Sequence, residues 1–278
     1  MLLDEFSYAS PEHSLPRKLL IRGIELMTGQ PKLKRVYQSY RKDNLPKQAF
    51  WGEVMQRLHL TPQIYGNPPS QIPKSGPLIV VANHPYGVLD GIAICWLVSQ
   101  QRQDFKILIN SVLCRLDEMA EHVLPIDFEP TRDALETNLA SRKAAREWLE
   151  SGGTLIVFPA GAISTTPKLW SQKAEDEPWA PLVGQLVRRT QSPVLPVFFE
   201  GQNSAVFQWA SHLNYNLRAA LIFREVKRRM NSPLRLVVGE ALTFETLEAQ
   251  LPASNLAKYL QEHTQALQQR LNDDVDKA

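Results

Sequence analysis

Pro77-Leu78-Ile79-Val80-Val81-Ala82, running into Asn83-His84-Pro85-Tyr86-Gly87-Val88-Leu89-Asp90, is the stretch that decides the fold. Six apolar residues in a row, with no polar alternation, are what a strand needs when both faces of its sheet are covered, as in a largely parallel sheet between helices. Pro85 and Gly87 then shape a turn, and Asp90 stands at the start of a helical pattern. Similar apolar runs recur at 105–109, 154–158, 193–199 and 234–238.

Helical patterns separate these runs, at 90–101, 131–150 (closed by Gly152-Gly153) and 179–190. A last one spans 255–271, with Leu256, Leu260, Leu267 and Leu271 on one face and Ser254 as its cap. Strand and helix alternate, so the class is α/β: a mixed, largely parallel sheet flanked by helices. Upstream, residues 1–66 read as an N-terminal amphipathic helical extension. A Pro-rich connector then opens the main domain, 67–278.

The extension carries nine cations between Ser14 and Lys47 against two acids, Glu25 and Asp43, although the whole chain is only +2. Leu19, Leu20, Ile24 and Met27 give its first helix an apolar face beside Arg17, Lys18 and Arg22. Such a segment suits an anionic lipid interface, and equally a helix packed on its own domain with a solvated basic face. No window reaches the roughly 18 uninterrupted apolar residues of a spanning helix. The N-terminus lacks a signal-peptide pattern, so a cytoplasmic chain, peripheral on the inner face of the cell membrane, is expected. Cys95 and Cys114 sit in apolar surroundings without a Cys-x-x-Cys pair and read as reduced, buried thiols.

His84 leaves the carboxyl end of a buried strand, where ligands bind in α/β sheets. An imidazole is suited to taking a proton from an alcohol near neutral pH, and a carboxylate such as Asp90 can fix its tautomer. No serine or cysteine nucleophile adjoins the pair in sequence, so direct attack by a substrate hydroxyl on an activated carbonyl is the economical reaction. The spacing alone also fits a plainer account, in which Asp90 caps the helix and His84 bonds its own turn. Phosphate-binding glycine loops, a Gly-x-Ser-x-Gly elbow and metal-ligand spacing among the other histidines are missing, and no nucleic-acid motif accompanies the basic residues.

PLIVVANHPYGVLDGI resembles the first motif of the lysophospholipid acyltransferase family, most closely its bacterial hemolysin-like, ornithine-lipid-related branch. LIVFPAGAIS (155–164) resembles that family's Phe-Pro-x-Gly motif. PVLPVFFEGQNS (193–204) resembles its Val-Pro-Val block with a Gly-x-Asn-Ser tail. The resemblance implies a glycerolipid acyltransferase-like fold, His84 as general base and Asp90 as its partner. It implies acyl-CoA or acyl carrier protein as co-substrate, a lysolipid-type hydroxyl as acceptor, and no metal or other cofactor.

Asn83, Gly87, Pro159, Gly161, Ser164, Gly201 and Asn203 become candidate substrate-binding residues, with backbone N–H groups of the 159–161 loop or Ser164 available for an oxyanion. Arg115, and less directly Arg132, are candidates for a phosphate. Two departures stand out: five residues separate His84 from Asp90 where the family usually has four, and the acid of Phe-Pro-Glu-Gly is replaced by Ala160, with Ala162 two positions on. They leave a non-catalytic lipid-binding protein, or a thioesterase or esterase, as competing expectations. Phe207, Trp209, Tyr215 and Phe223, followed by Arg224, Lys227, Arg228 and Arg229, read either as core or as a lipid-facing stretch.

Overall fold

The structure, a computed structural model, describes residues 14–43, 45–110, 116–128, 131–213 and 215–275. Seven strands form one sheet: β1 (Thr61–Gly66), β2 (Leu78–Ala82), β3 (Phe105–Asn110), β4 (Val123–Ile126), β5 (Thr154–Val157), β6 (Val194–Phe199) and β7 (Pro233–Val238). Their order is β1-β7-β6-β2-β5-β3-β4. Every pairing is parallel except β6 with β7, so the sheet is mixed and largely parallel, as expected.

β2 is the central strand, and all five of its residues are buried. Leu78, Val80 and Ala82 enter one core with α3 (Phe50–Arg57), α4 (Val88–Ser99), α7 (Ala205–Leu213) and α8 (Tyr215–Arg229). Ile79 and Val81 enter the opposite core with α5 (Arg132–Glu150), α6 (Leu182–Thr190), α9 (Phe244–Glu248) and the start of α10 (Ala253–Val275). At roughly 1.5–3 kcal/mol for each large aliphatic side chain removed from water, this strand specifies the sheet's position in the chain. The parallel register puts the carboxyl ends of β2, β5 and β6 side by side.

Two expectations are corrected. The segment expected to be a helical extension to residue 66 contains α1 (Leu15–Thr28), α2 (Gln30–Lys42) and α3, but it ends in β1, which pairs with β7. Phe50, Trp51 and Met55 also lie in the core that β2 lines, so 46–66 is built into the sheet and its cover. Of the face expected on α1, Leu19 is 71% exposed, while Ile21, which was not part of it, is buried. The side chains of Leu20, Ile24 and Met27 lie outside the described ones. Ser254 is inside α10, which starts at Ala253 with Pro252 before it, so it is not the cap. Among the described residues no helix is long and apolar enough to cross a membrane.

Candidate active site

The turn after β2 is built around one buried carboxylate. α4 starts at Val88, with Gly87 as its N-cap residue at φ 78°, so Asp90 is its third residue. Asp90 Oδ2 accepts from the backbone N–H of Tyr86 (2.7 Å) and of Gly87 (2.9 Å), and the side chain is fully buried. The same oxygen lies 3.2 Å from His84 Nδ1. The helix cap and the group facing the histidine are thus one carboxylate: Asp90 caps the helix as the plainer account has it, whereas the His84 side chain makes no hydrogen bond to its own turn. Five intervening residues suffice because Pro85-Tyr86-Gly87 folds back over the carboxylate.

Burial pushes the Asp90 carboxyl above its ordinary range, against the pull of His84 and of the two backbone N–H groups. His84 Nδ1 is buried and makes no well-aligned hydrogen bond among the described residues, its near neighbour being the Asp90 carboxylate, while the side chain keeps 18% exposure. The accessible part of the ring is therefore its far edge, where Nε2 lies. Phe158, just past β5, covers the imidazole with ring centroids 4.1 Å apart.

Asn83 extends the β2–β6 pairing with its side chain: Nδ2 donates to Phe199 O (2.8 Å) and Oδ1 accepts from Phe199 N (2.7 Å). Tyr86 donates to Glu200 O (2.8 Å), and the Arg229 guanidinium bonds its hydroxyl and stacks over its ring. Burial raises the Tyr86 phenol to about 12, with Arg229 opposing it. A Cβ on Gly201, which has φ 107°, would stand 1.8 Å from the Tyr86 hydroxyl, so only glycine lets these two loops meet.

The loop after β5 supplies a residue that sequence reading missed. Asp176 Oδ1 accepts from the backbone N–H of His84 (3.1 Å) and from the Ser164 hydroxyl, and Oδ2 accepts from the Trp179 indole (3.0 Å). Asp176 thereby ties the His84 turn to the Phe-Pro-x-Gly loop; no periodicity or motif marks it.

The backbone N–H of Ser164 donates to His84 O (2.9 Å) and that of Gly161 to Phe158 O (3.0 Å), while Pro159 O accepts from Ala180. These N–H groups, expected to serve an oxyanion, are committed to loop structure, and so is the Ser164 hydroxyl. Asn203 is buried in the loop after β6, and Gly201 beside it is exposed. Arg132 is 90% exposed and pairs with Glu136 one turn on, a surface arrangement. Arg115 and Cys114 lie outside the described residues; Cys95 is buried and free, as expected.

A family model described as acyltransferase matches residues 46–273. The chain belongs to that acyltransferase family. It is 22% identical over 201 residues to a lyso-glycine lipid O-acyltransferase of Phocaeicola vulgatus, covering 69% of this chain and 68% of that one. With the protein of the same name from Bacteroides thetaiotaomicron it is 22% identical over 198 residues, covering 69% and 70%. The crystal structure of the 1-acyl-sn-glycerophosphate (LPA) acyltransferase PlsC from Thermotoga maritima superposes with a TM-score of 0.51 at 17% identity, over 90% of this chain and 86% of that one. It shares the fold.

Proposed function

We propose that the protein transfers a fatty acyl chain from a thioester donor, acyl-CoA or acyl carrier protein, to the hydroxyl of a lysolipid, with His84 as general base. The observation that carries this is the 3.2 Å approach of His84 Nδ1 to the fully buried Asp90, at the carboxyl end of the central strand of an acyltransferase fold. Asp90 holds the proton on Nδ1, which leaves Nε2 to accept one. Nε2 takes the acceptor's hydroxyl proton as its oxygen attacks the thioester carbonyl. The tetrahedral intermediate collapses, the C–S bond breaks, and the thiolate leaves with the proton from the imidazolium. The products are an ester and a thiol, and the step uses no metal or redox cofactor.

Because its relatives in two bacteria are named for a lyso-glycine lipid, a lyso-aminolipid is the acceptor class we assign. The replacement of the third-motif acid by Ala160 and Ala162 agrees with a headgroup other than glycerophosphate.

The protein works at the inner membrane face, as a peripheral protein. Leu15 and Leu19 of α1, Val206, Trp209 and Leu213 of α7, and Leu169 and Trp170 of the loop after β5 are large apolar side chains that the fold leaves exposed. α1 and α7 both pack on α8, and that loop bonds α7 through Thr166. The segments 15–24, 164–173 and 205–218 hold six Lys and Arg and no Asp or Glu, which suits an anionic lipid surface.

Incubating purified protein with acyl-CoA or acyl carrier protein donors and a panel of lysolipids tests the reading. Acceptor-dependent ester formation is expected. Acyl release at the same rate with and without any acceptor would make the protein a thioesterase instead.

A further inference from the structure

Two buried amides at the catalytic end have no part in the reaction described so far. Asn203 is 2% and Gln208 3% exposed. Neither polar atom of the Asn203 side chain has a hydrogen-bond partner among the described residues, and nor does Gln208 Nε2. An unpaired buried polar atom costs roughly 1–3 kcal/mol, so three of them a few residues apart call for a use. The Gln208 assignment is fixed, because its Oε1 accepts from Thr166 N at 3.0 Å and its NH2 is the idle end.

Their placement points the same way. Gln208 lies in the first turn of α7 and reaches Thr166, two residues past Ser164, whose N–H donates to His84 O. Asn203 follows Gln202, which holds the crossing loop through Ala174 N (2.7 Å) and Gln172 O (2.8 Å). The amides therefore sit where the loops after β5 and β6, which flank His84, come together. The β5 loop is held here by the Ser164–His84 backbone bond, by the Gln208 and Gln202 side chains and by its own Thr165–Glu175 bridge, so an acceptor reaches the amides only by parting this loop from α7.

We propose that Asn203 and Gln208 read an amide linkage in the acceptor lipid. Asn203 Oδ1 accepts from the substrate amide N–H. Asn203 Nδ2 and Gln208 Nε2 donate to its carbonyl and to a neighbouring carboxylate or carbonyl oxygen. An idle acceptor beside idle donors matches a group that offers both. A phosphate offers only acceptors at neutral pH and would leave Asn203 Oδ1 facing an oxygen. Cations close by are engaged: Arg224 bonds Ser204 and Glu225, and Arg229 bonds Tyr86. The inference rests on the acyl-transfer reading and sharpens its acceptor.

The test compares three acceptors with the purified full chain: an N-(hydroxyacyl)glycine, the matching glycolate ester in which O replaces the amide N–H, and lysophosphatidic acid. Wild type should favour the amide over the ester by about 10–100-fold in kcat/KM, the worth of one buried hydrogen bond left unmade. In Asn203→Leu that ratio should fall to within about threefold of unity, and Gln208→Met should lower kcat/KM for both glycine-type acceptors against lysophosphatidic acid. Equal use of amide and ester by wild type overturns the inference without needing any variant. So does preferred turnover of lysophosphatidic acid, which leaves the acyl-transfer reading standing. Failure to acylate any acceptor overturns both.

Discussion

Asp90→Asn separates the two duties of the buried carboxylate. An asparagine oxygen can still accept from the Tyr86 and Gly87 N–H groups (2.7 and 2.9 Å in the native turn), so the α4 cap survives. That oxygen is also the one facing His84, so what the variant loses is the negative charge that steadies the imidazolium, and with it the strength of the base. Loss of general-base catalysis predicts a fall of roughly 10²–10⁴ in kcat. Stability should move the other way. The folded-state carboxyl of Asp90 lies above its ordinary value of 3.8, chiefly through burial, so ionising it opposes folding. That cost is present in full above the folded value, shrinks as pH falls through it and vanishes below 3.8; each tenfold change in proton affinity is worth about 1.4 kcal/mol. The variant should therefore equal or exceed wild type in urea denaturation at pH 8, with its advantage narrowing toward pH 4. Turnover within a few-fold of wild type, or a variant markedly less stable at pH 8, would refute this reasoning.

Other perturbations follow from the same geometry. Asp176→Ala should lower kcat about 100-fold by loosening the His84 turn, with Asp176→Asn intermediate because one amide oxygen cannot replace a carboxylate that serves three donors; single-turnover rates check both. Gly201→Ala must displace Tyr86 and take up an unfavourable φ, so urea denaturation should show a loss of about 2–4 kcal/mol. Trp209→Glu with Leu213→Glu should weaken binding to anionic vesicles at least tenfold in sedimentation, while water-soluble short-chain acceptors are turned over at near wild-type rates.

The strands that build the site were legible because they lie inside the sheet: β2, β5 and β6 are buried on both faces and read as unbroken apolar runs. The edge strands escaped notice for the opposite reason. β1 alternates exposed and half-buried residues, and β4 is four residues long with Pro125 inside it. His84 and Asp90 were visible as a motif. The double use of the Asp90 carboxylate was not, since it depends on how Pro85-Tyr86-Gly87 folds. Asp176 is held by contacts 12 and 92 residues away in the chain, a separation that local patterning does not register. Asn203 was marked by its motif, whereas its unpaired amide and that of Gln208 exist only once both are buried.

The most direct test of the account is acyl transfer by wild type and His84→Ala, using a labelled thioester donor and a lyso-aminolipid acceptor, with thermal unfolding measured on the same samples. The account predicts ester formation by wild type and at least a 10²-fold loss in the variant at unchanged unfolding temperature. Wild-type-like turnover in a folded His84→Ala protein would contradict it.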